Sequence, residues 1–258
     1  MTIIGAGAFG VALGKILTDN GHGIVYFDTK NSMSLEVATV DADVLVIAIP
    51  AAGVAEFAQS LPVELRGLPV ILTSKGLFDL DVFADYARFS MLGGASFATD
   101  IMEGRTVTFT ATDELAKMLF ENERVVVELT DDNLGVALCG SLRTIYVIGA
   151  GALMGAKNEL LVYLQQALAE MKLYLVDHGA KPETADLACG VGDLTMTATD
   201  EESRNLRFGN ALRAGQAMEE ARDELGTVEG LDALKLVKRE GYPMISEIYD
   251  LVYGDEAE

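Results

Sequence analysis

Two cysteines and two histidines in 258 residues leave little room for several kinds of chemistry. Cys139 and Cys189 sit in apolar or glycine-rich context, which argues against a disulfide framework and for a reducing compartment, the cytoplasm. His22 and His178 each precede a glycine at the end of a helical segment, so their expected place is a helix end. No His/Cys/Asp cluster has metal-ligand spacing. No Ser-His or Cys-His arrangement supports nucleophilic catalysis. Basic residues are scarce as well: 19 Lys and Arg stand against 40 Asp and Glu, a formal net charge of −21. That balance argues against nucleic acid and anionic membranes as partners. A few local Arg and Lys can still dominate one cleft and hold a small anion. The acids are spread along the chain, with a short run at Asp255–Glu258, and read as a solvated surface. Apolar runs are broken by Gly, Lys or Arg short of a membrane span. The opening MTIIGAG has neither the basic nor the apolar region of an export signal, and no internal repeat or low-complexity linker is visible.

What is present is apolar and ordered. Half the residues are hydrophobic and the mean hydropathy is +0.27, enough for two cores in a chain of this length. Residues 2–4 form a short β-branched strand, followed by Gly5-Ala6-Gly7-Ala8-Phe9-Gly10 and a helical pattern at Val11, Leu13, Ile16 and Leu17. This is G-x-G-x-x-G between a strand and a helix. Such glycines permit a tight turn, backbone approach to a pyrophosphate and close helix packing. A second strand, Ile24–Phe27, ends in Asp28, where an acid can bond ribose hydroxyls and repel a 2′-phosphate. The combination points to a dinucleotide, NAD over NADP.

Further strands are expected at Val44–Ile49, Pro69–Thr73, Phe89–Leu92, Thr106–Thr110 and Val125–Leu129, with helices at Ala52–Gln59 and Glu114–Phe120. Alternation of this kind implies a parallel, doubly wound sheet with ligands beyond the carboxyl ends of its strands. Ile49-Pro50, Ser74-Lys75-Gly76 and Gly94-Ala95-Ser96-Phe97-Ala98 fall at such ends, and Lys75 is placed to contact a phosphate or hydroxyl.

From about Asp131 the pattern turns helical. Leu138–Met154 reads as a buried central helix and Glu159–His178 as an amphipathic one. Shorter helices are expected at Pro182–Ala188, Ser203–Arg213, Gln216–Glu224, Leu231–Arg239 and Met244–Leu251. Domains of 1–130 and 131–258 follow. The methionines at 154, 171, 196 and 218 occupy core-like positions. Cys189-Gly190-Val191-Gly192-Asp193-Leu194, then Ser203-Arg204-Asn205, place an acid, a hydroxyl, a planar guanidinium and an amide near one another. Arg204 suits a phosphate or carboxylate; a turn followed by a capped helix has the same letters.

With these landmarks in order, the chain resembles NAD(P)-dependent glycerol-3-phosphate dehydrogenase. The resemblance rests on Gly5–Gly10, Ser74-Lys75-Gly76, Gly94–Ala98, Gly190-x-Gly192-Asp193-Leu194, Ser203-Arg204-Asn205-x-x-x-Gly209, Glu229-Gly230 and Gly241-Tyr242-Pro243-Met244. It implies an N-terminal Rossmann domain and an all-helical substrate domain. The implied reaction interconverts dihydroxyacetone phosphate and sn-glycerol 3-phosphate in a cytosolic, often dimeric enzyme. By resemblance, Gly5, Gly7, Ala8, Phe9, Gly10, Asp28 and Ala98 meet the cofactor, Lys75 meets cofactor and substrate, and Gly94 and Ser96 line the substrate site. Asp193 is the catalytic-site acid. Ser203, Arg204 and Asn205 hold substrate, Arg204 also reaching the cofactor, and Glu229 contacts the cofactor.

The chain departs from the family where the chemistry sits. A Lys-Asn pair is expected on the central helix, its lysine serving as general acid/base. The register gives Arg143-Thr144 there, so Arg143 joins Asp193 and Lys75 as the catalytic group. Lys157-Asn158 repeats the two letters at the wrong distance from Asp193. Arginine polarises a carbonyl but releases a proton poorly. The loop between Asp28 and Val44 is short, and Ala95 replaces a proline. Two alternatives remain open: a related dehydrogenase on another small anionic carbonyl compound, and a cofactor-binding homologue with impaired catalysis.

Overall fold

Short apolar runs, most of them rich in Val, Ile or Thr, form the strands of a seven-stranded sheet. In the computed structural model, which describes residues 1–30, 33–76 and 79–254, the chain divides into two compact units, the first ending at Ala137. The acidic run at Asp255–Glu258 lies outside the described residues.

The first unit contains β1 (Thr2–Ile4), α1 (Ala8–Asp19), β2 (Val25–Phe27), α2 (Leu35–Thr39), β3 (Leu45–Ile47), α3 (Val54–Ser60) and β4 (Pro69–Leu72). It continues with β5 (Arg88–Ala95), α4 (Ala98–Met102), β6 (Val107–Ala111), α5 (Glu114–Phe120) and β7 (Val125–Leu129). The spatial order is β2-β1-β3-β4-β5-β6-β7. After β2 the chain passes back across β1 to β3, which creates a topological switch point between β1 and β3. Ile3, Val46 and Ile71 stand in register across β1, β3 and β4. Leu13, Ile16 and Leu17 of α1 join them in one buried cluster with Phe109 and Phe120.

The sheet is not wholly parallel. β5 and β6 pair antiparallel, Leu92 opposite Ala111 and Ala95 opposite Thr108, and β6 and β7 are parallel to each other. The segment between β5 and β6 holds only the short α4, too little for a crossover, and such a segment returns the chain alongside the strand it left. Between β6 and β7 the longer α5 supplies a crossover, and parallel pairing resumes.

The second unit is helical. α6 (Asn133–Leu153) begins five residues before the expected start, and the division between units falls inside it. α7 (Lys157–Asp177) follows, then a 3-10 turn at Pro182–Asp186 and a π turn at Ala188–Gly192 in place of the expected α-helix. After them come α8 (Asp193–Ala198), α9 (Arg204–Arg213), α10 (Met218–Leu225), α11 (Glu229–Leu236) and α12 (Pro243–Tyr253). By length and composition α6 could cross a membrane, and its Arg and Gly do not bring it below that mark. It is instead the buried centre of this unit, enclosed along almost its whole apolar length.

Two devices hold the helices around α6. Glu170 of α7 is buried and accepts the backbone N–H groups of Met244 and Ile245, capping α12 from another helix. Its Oε1 also accepts the Tyr146 hydroxyl at 3.3 Å. Gly151 of α6 meets Gly209 of α9: a Cβ on Gly209 would lie 2.1 Å from the Ile148 carbonyl oxygen. Only glycine permits backbones this close. Of the four methionines expected in the core, Met171 is fully buried and Met154, Met196 and Met218 are half-buried. His178 stacks on Tyr174 with ring centroids 3.9 Å apart, and its Nδ1 lies 2.8 Å from the Tyr174 carbonyl oxygen, at the C-terminal end of α7.

Candidate functional site

Each unit carries part of the expected constellation. In the first, Gly5 leaves β1 at φ +103, and a Cβ there would lie 2.4 Å from the Ala48 carbonyl oxygen at the end of β3. Gly10 packs α1 on the same turn, where a Cβ would meet the Gly5 oxygen at 2.0 Å. Gly7 is the opposite case: it caps α1 with nothing within 4 Å of where its Cβ would stand. Helix α1 has no side-chain cap and no acid in its first turn. Its positive end is therefore shaped for an anion beside the switch point.

Asp28 follows β2 at the same edge. Its Oδ1 accepts the Lys30 N–H and its Oδ2 the Ala6 N–H, both at 3.0 Å. These backbone donors hold the carboxyl below the usual carboxylate range. Asp28 is therefore ionised at neutral pH, and what the charge contributes to this loop is lost only as pH falls through that depressed value.

Beyond β4, Thr73 and Ser74 donate their hydroxyls to Ile47 O and Ile49 O, which ties this loop to β3. Lys75 Nζ donates to Gly94 O at 3.3 Å, bringing together two of the expected site segments. Gly94 has φ +149 and lies against β6, where a Cβ would be 2.6 Å from Thr108 O. Ser96 is 4% exposed and its Oγ makes no hydrogen bond. A buried hydroxyl of this kind calls for a partner, and it stands in one of the segments expected to line the site. Ala98 opens α4 and Phe9 lies in the first turn of α1, both half-buried, and Ala8 is exposed.

In the second unit the chemistry gathers around one buried ion pair. Arg143 is 5% exposed and Asp193 1%. Arg143 Nε lies 3.2 Å from Asp193 Oδ2, without the alignment of a hydrogen bond, so charge attraction dominates that contact. Arg143 donates from Nη1 to Thr197 Oγ1 at 3.3 Å. The Thr197 hydroxyl in turn lies 2.6 Å from the Asp193 carbonyl oxygen and 3.1 Å from Oδ1. Asp193 opens α8, whose dipole favours a carboxylate there. Gly190 makes the preceding π turn possible, since a Cβ would sit 2.2 Å from Ala185 O. Thr144, next to Arg143, donates to Ser141 O within α6.

The Ser203-Arg204-Asn205 stretch is both a capped helix and a candidate site. Ser203 caps α9 by accepting the Leu206 N–H at 3.4 Å. Asn205 is buried and its Oδ1 accepts the Gly230 N–H at 3.0 Å, so it joins α9 to the start of α11. A Cβ on Gly230 would meet Thr144 O at 2.7 Å and Asn205 Oδ1 at 3.0 Å, which explains the glycine. Arg204 and Glu229, the first residues of α9 and α11, are exposed. Lys157 is exposed at the start of α7. Among the described residues there is no group of three or more His, Cys, Asp or Glu that could hold a metal.

Thr197 is the member that sequence reasoning missed. Its signal is the four-residue step from Asp193, which puts both on one face of α8. Gly151 was hidden in an Ala/Gly-rich helix, where one glycine looks like another.

A family model for the C-terminal part of NAD-dependent glycerol-3-phosphate dehydrogenase matches residues 132–257. The glycerol-3-phosphate dehydrogenase [NAD(P)+] of Azotobacter vinelandii is 30% identical over 284 residues, covering 92% of this chain and 84% of that protein. That of Enterococcus faecalis is 27% identical over 312 residues, covering 99% and 92%. A crystal structure of glycerol-3-phosphate dehydrogenase from Coxiella burnetii shares the fold, with a TM-score of 0.86 at 22% identity over 98% of this chain and 94% of that one. Sequence likeness along nearly the whole chain and a common fold converge: the chain belongs to the NAD(P)-dependent glycerol-3-phosphate dehydrogenase family.

Proposed function

We propose that the protein interconverts dihydroxyacetone phosphate and sn-glycerol 3-phosphate, with residues 1–130 holding the cofactor and 131–258 the substrate. The observation that carries this reading is the buried Arg143–Asp193–Thr197 cluster in a chain of this family. The open N-terminus of α1, the clearance at Gly7 and the acid at Asp28 fit a dinucleotide. When bound, the nicotinamide supplies or takes up the hydride.

Arg143 polarises the carbonyl oxygen and holds the alkoxide through its charge, and Asp193 fixes the guanidinium in place. Arginine as a residue type is a poor proton donor, so Lys75, directly or through water, is assigned the proton transfer. Arg204 takes the phosphate and also reaches the cofactor, as does Glu229; Ser96, Gly94 and Asn205 line the substrate. The protein works as a cytoplasmic homodimer; its two cysteines, both buried, are in keeping with a reducing compartment.

Oxidation of NADH by dihydroxyacetone phosphate tests the reading, and no turnover at high enzyme concentration refutes it. In the same assay Arg204→Ala raises KM for the phosphorylated substrate by roughly 10- to 150-fold, the worth of about 1.5–3 kcal/mol in a charged hydrogen bond. NAD is the preferred cofactor because of Asp28. Asp28→Ser is expected to shift the ratio of kcat/KM for NADPH over NADH upward by about tenfold or more. An unchanged ratio would remove Asp28 from cofactor choice.

A second reading, a cofactor-binding homologue with impaired catalysis, is favoured by the ion pair that already occupies Arg143. Cofactor binding by calorimetry without turnover distinguishes it.

A further inference from the structure

Lys15 and Lys30 are the only Lys or Arg among the first sixty residues. Lys15 is paired with Asp19 at 2.6 Å. Lys30 is exposed and makes no ion pair among the described residues. Its place is set from the main chain. Thr29 and Lys30 turn directly after Asp28, and the Lys30 N–H donates to Asp28 Oδ1 while the Ala6 N–H donates to Oδ2, both at 3.0 Å. These two N–H groups hold the Asp28 carboxyl below the usual carboxylate range, and the Lys30 ammonium adds to the effect without pairing. No further acid follows until Glu36 in α2. Asp41 and Asp43 precede β3, which runs parallel to β1 and β2, and so belong to the opposite end of the sheet from this turn.

We propose, resting on the dinucleotide reading above, that the Lys30 ammonium receives a 2′-phosphate on the adenosine ribose, so that a site favouring NAD also admits NADP. The two charges of this turn answer to different ligands. A ribose with a free 2′-hydroxyl donates to Asp28, whose oxygens each accept one N–H and keep a second lone pair. A 2′-phosphate is repelled by that carboxylate. It also brings more negative charge to a chain whose net charge is −21, so the field of the protein opposes it as well. A local cation offsets both terms, and lysine binds phosphate as a point charge on a flexible stem. The acid is clamped by two main-chain donors, whereas the lysine side chain is in water and can swing toward an added phosphate. A site for NADP alone gains nothing from the acid, and a site for NAD alone gains nothing from an unpaired cation. With both at one turn the preference is graded: NAD first, NADP second, with Lys30 setting the interval between them.

NADH and NADPH differ only by that phosphate, so calorimetric titration of the full chain with each, without turnover, tests the assignment as a ratio of affinities. Lys30→Ala removes the ammonium and keeps the main-chain N–H on Asp28. The expected result at low salt is a fall in NADPH affinity relative to NADH of roughly five- to tenfold, between the worth of an exposed ion pair and that of a charged hydrogen bond. Lys30→Arg keeps the charge and retains most of the ratio. At high salt the difference between the wild type and the alanine variant closes, because a charge in water is screened. A ratio unchanged in Lys30→Ala, or lowered as far by Lys30→Arg, overturns the role of Lys30 and leaves the dinucleotide reading standing. A wild-type chain that binds NADH and not NADPH has the same consequence. A wild-type chain that binds neither overturns both.

Discussion

Arg143→Ala is expected to give a protein that unfolds about 10 °C earlier and turns over 10²- to 10⁴-fold more slowly. The stability loss follows from burial. Asp193 is 1% exposed, and removing the guanidinium leaves a carboxylate sealed away from water without the cation beside it. Breaking a buried pair on one side costs about 3–5 kcal/mol. In a chain of this length each kcal/mol corresponds to about 2–4 °C. The rate loss follows from the lost donor, since a positioned charge at a developing alkoxide contributes factors of this size. A thermal melt and a steady-state assay separate the two effects. A variant that melts normally, or one that retains wild-type kcat, contradicts the role given to the pair.

Arg143→Lys sharpens the same argument. It keeps the charge but surrenders the planar fork that reaches Asp193 and Thr197 together. In exchange it introduces a proton that can leave. If Arg143 stands where the reaction wants an acid/base, the kcat–pH profile of the lysine variant gains a titration that the wild type lacks. A profile of unchanged shape would mean that proton transfer lies elsewhere.

Gly209→Ala is the second large effect, and its sign is not obvious. Alanine is the better helix former by about 1 kcal/mol, which alone would stabilise α9. The added Cβ, however, would stand 2.1 Å from Ile148 O, 2.8 Å from Ala152 N and 3.0 Å from Gly151 Cα. All three are main-chain atoms of α6 and cannot rotate aside, so the helices must separate. Overpacking of that kind costs about 1–3 kcal/mol, and more where backbone has to move. The expected balance is a net loss of about 2 kcal/mol and a melting point lower by roughly 4–8 °C. Because α9 carries Arg204 and Asn205, KM for the substrate rises too. A melting point at or above that of the wild type would show that α6 and α9 can part without cost.

The sequence allowed the first unit to be read in detail because its signals are local. Val125–Leu129 and Glu114–Phe120 are strand and helix with the ends expected, since alternation of buried residues and the capping Asp113 are written into a few neighbouring positions. The direction of β6 was not readable in this way. It depends on how much chain the short α4 consumes, a property of the connection rather than of the strand. In the second unit the helices were visible as apolar periodicity, while the π turn before Asp193 was not, because it is made by contact between Gly190 and Ala185 O. At the site, motif letters located Arg143, Asp193 and Asn205. What those side chains touch is tertiary information. That Ser203 spends its oxygen on Leu206 and Asn205 its own on Gly230 could not be counted from spacing.

The Arg143–Asp193 pair has one more consequence. A lysine in this place is a reservoir, filled or emptied with the acidity of the solution. A guanidinium keeps its proton throughout the range in which a protein stays folded. In the proposed mechanism an arginine there is closer to a fixed electrode than to a reservoir. On the mechanism proposed above, the strength of polarisation would be a property of the fold, with the supply of protons left to other groups.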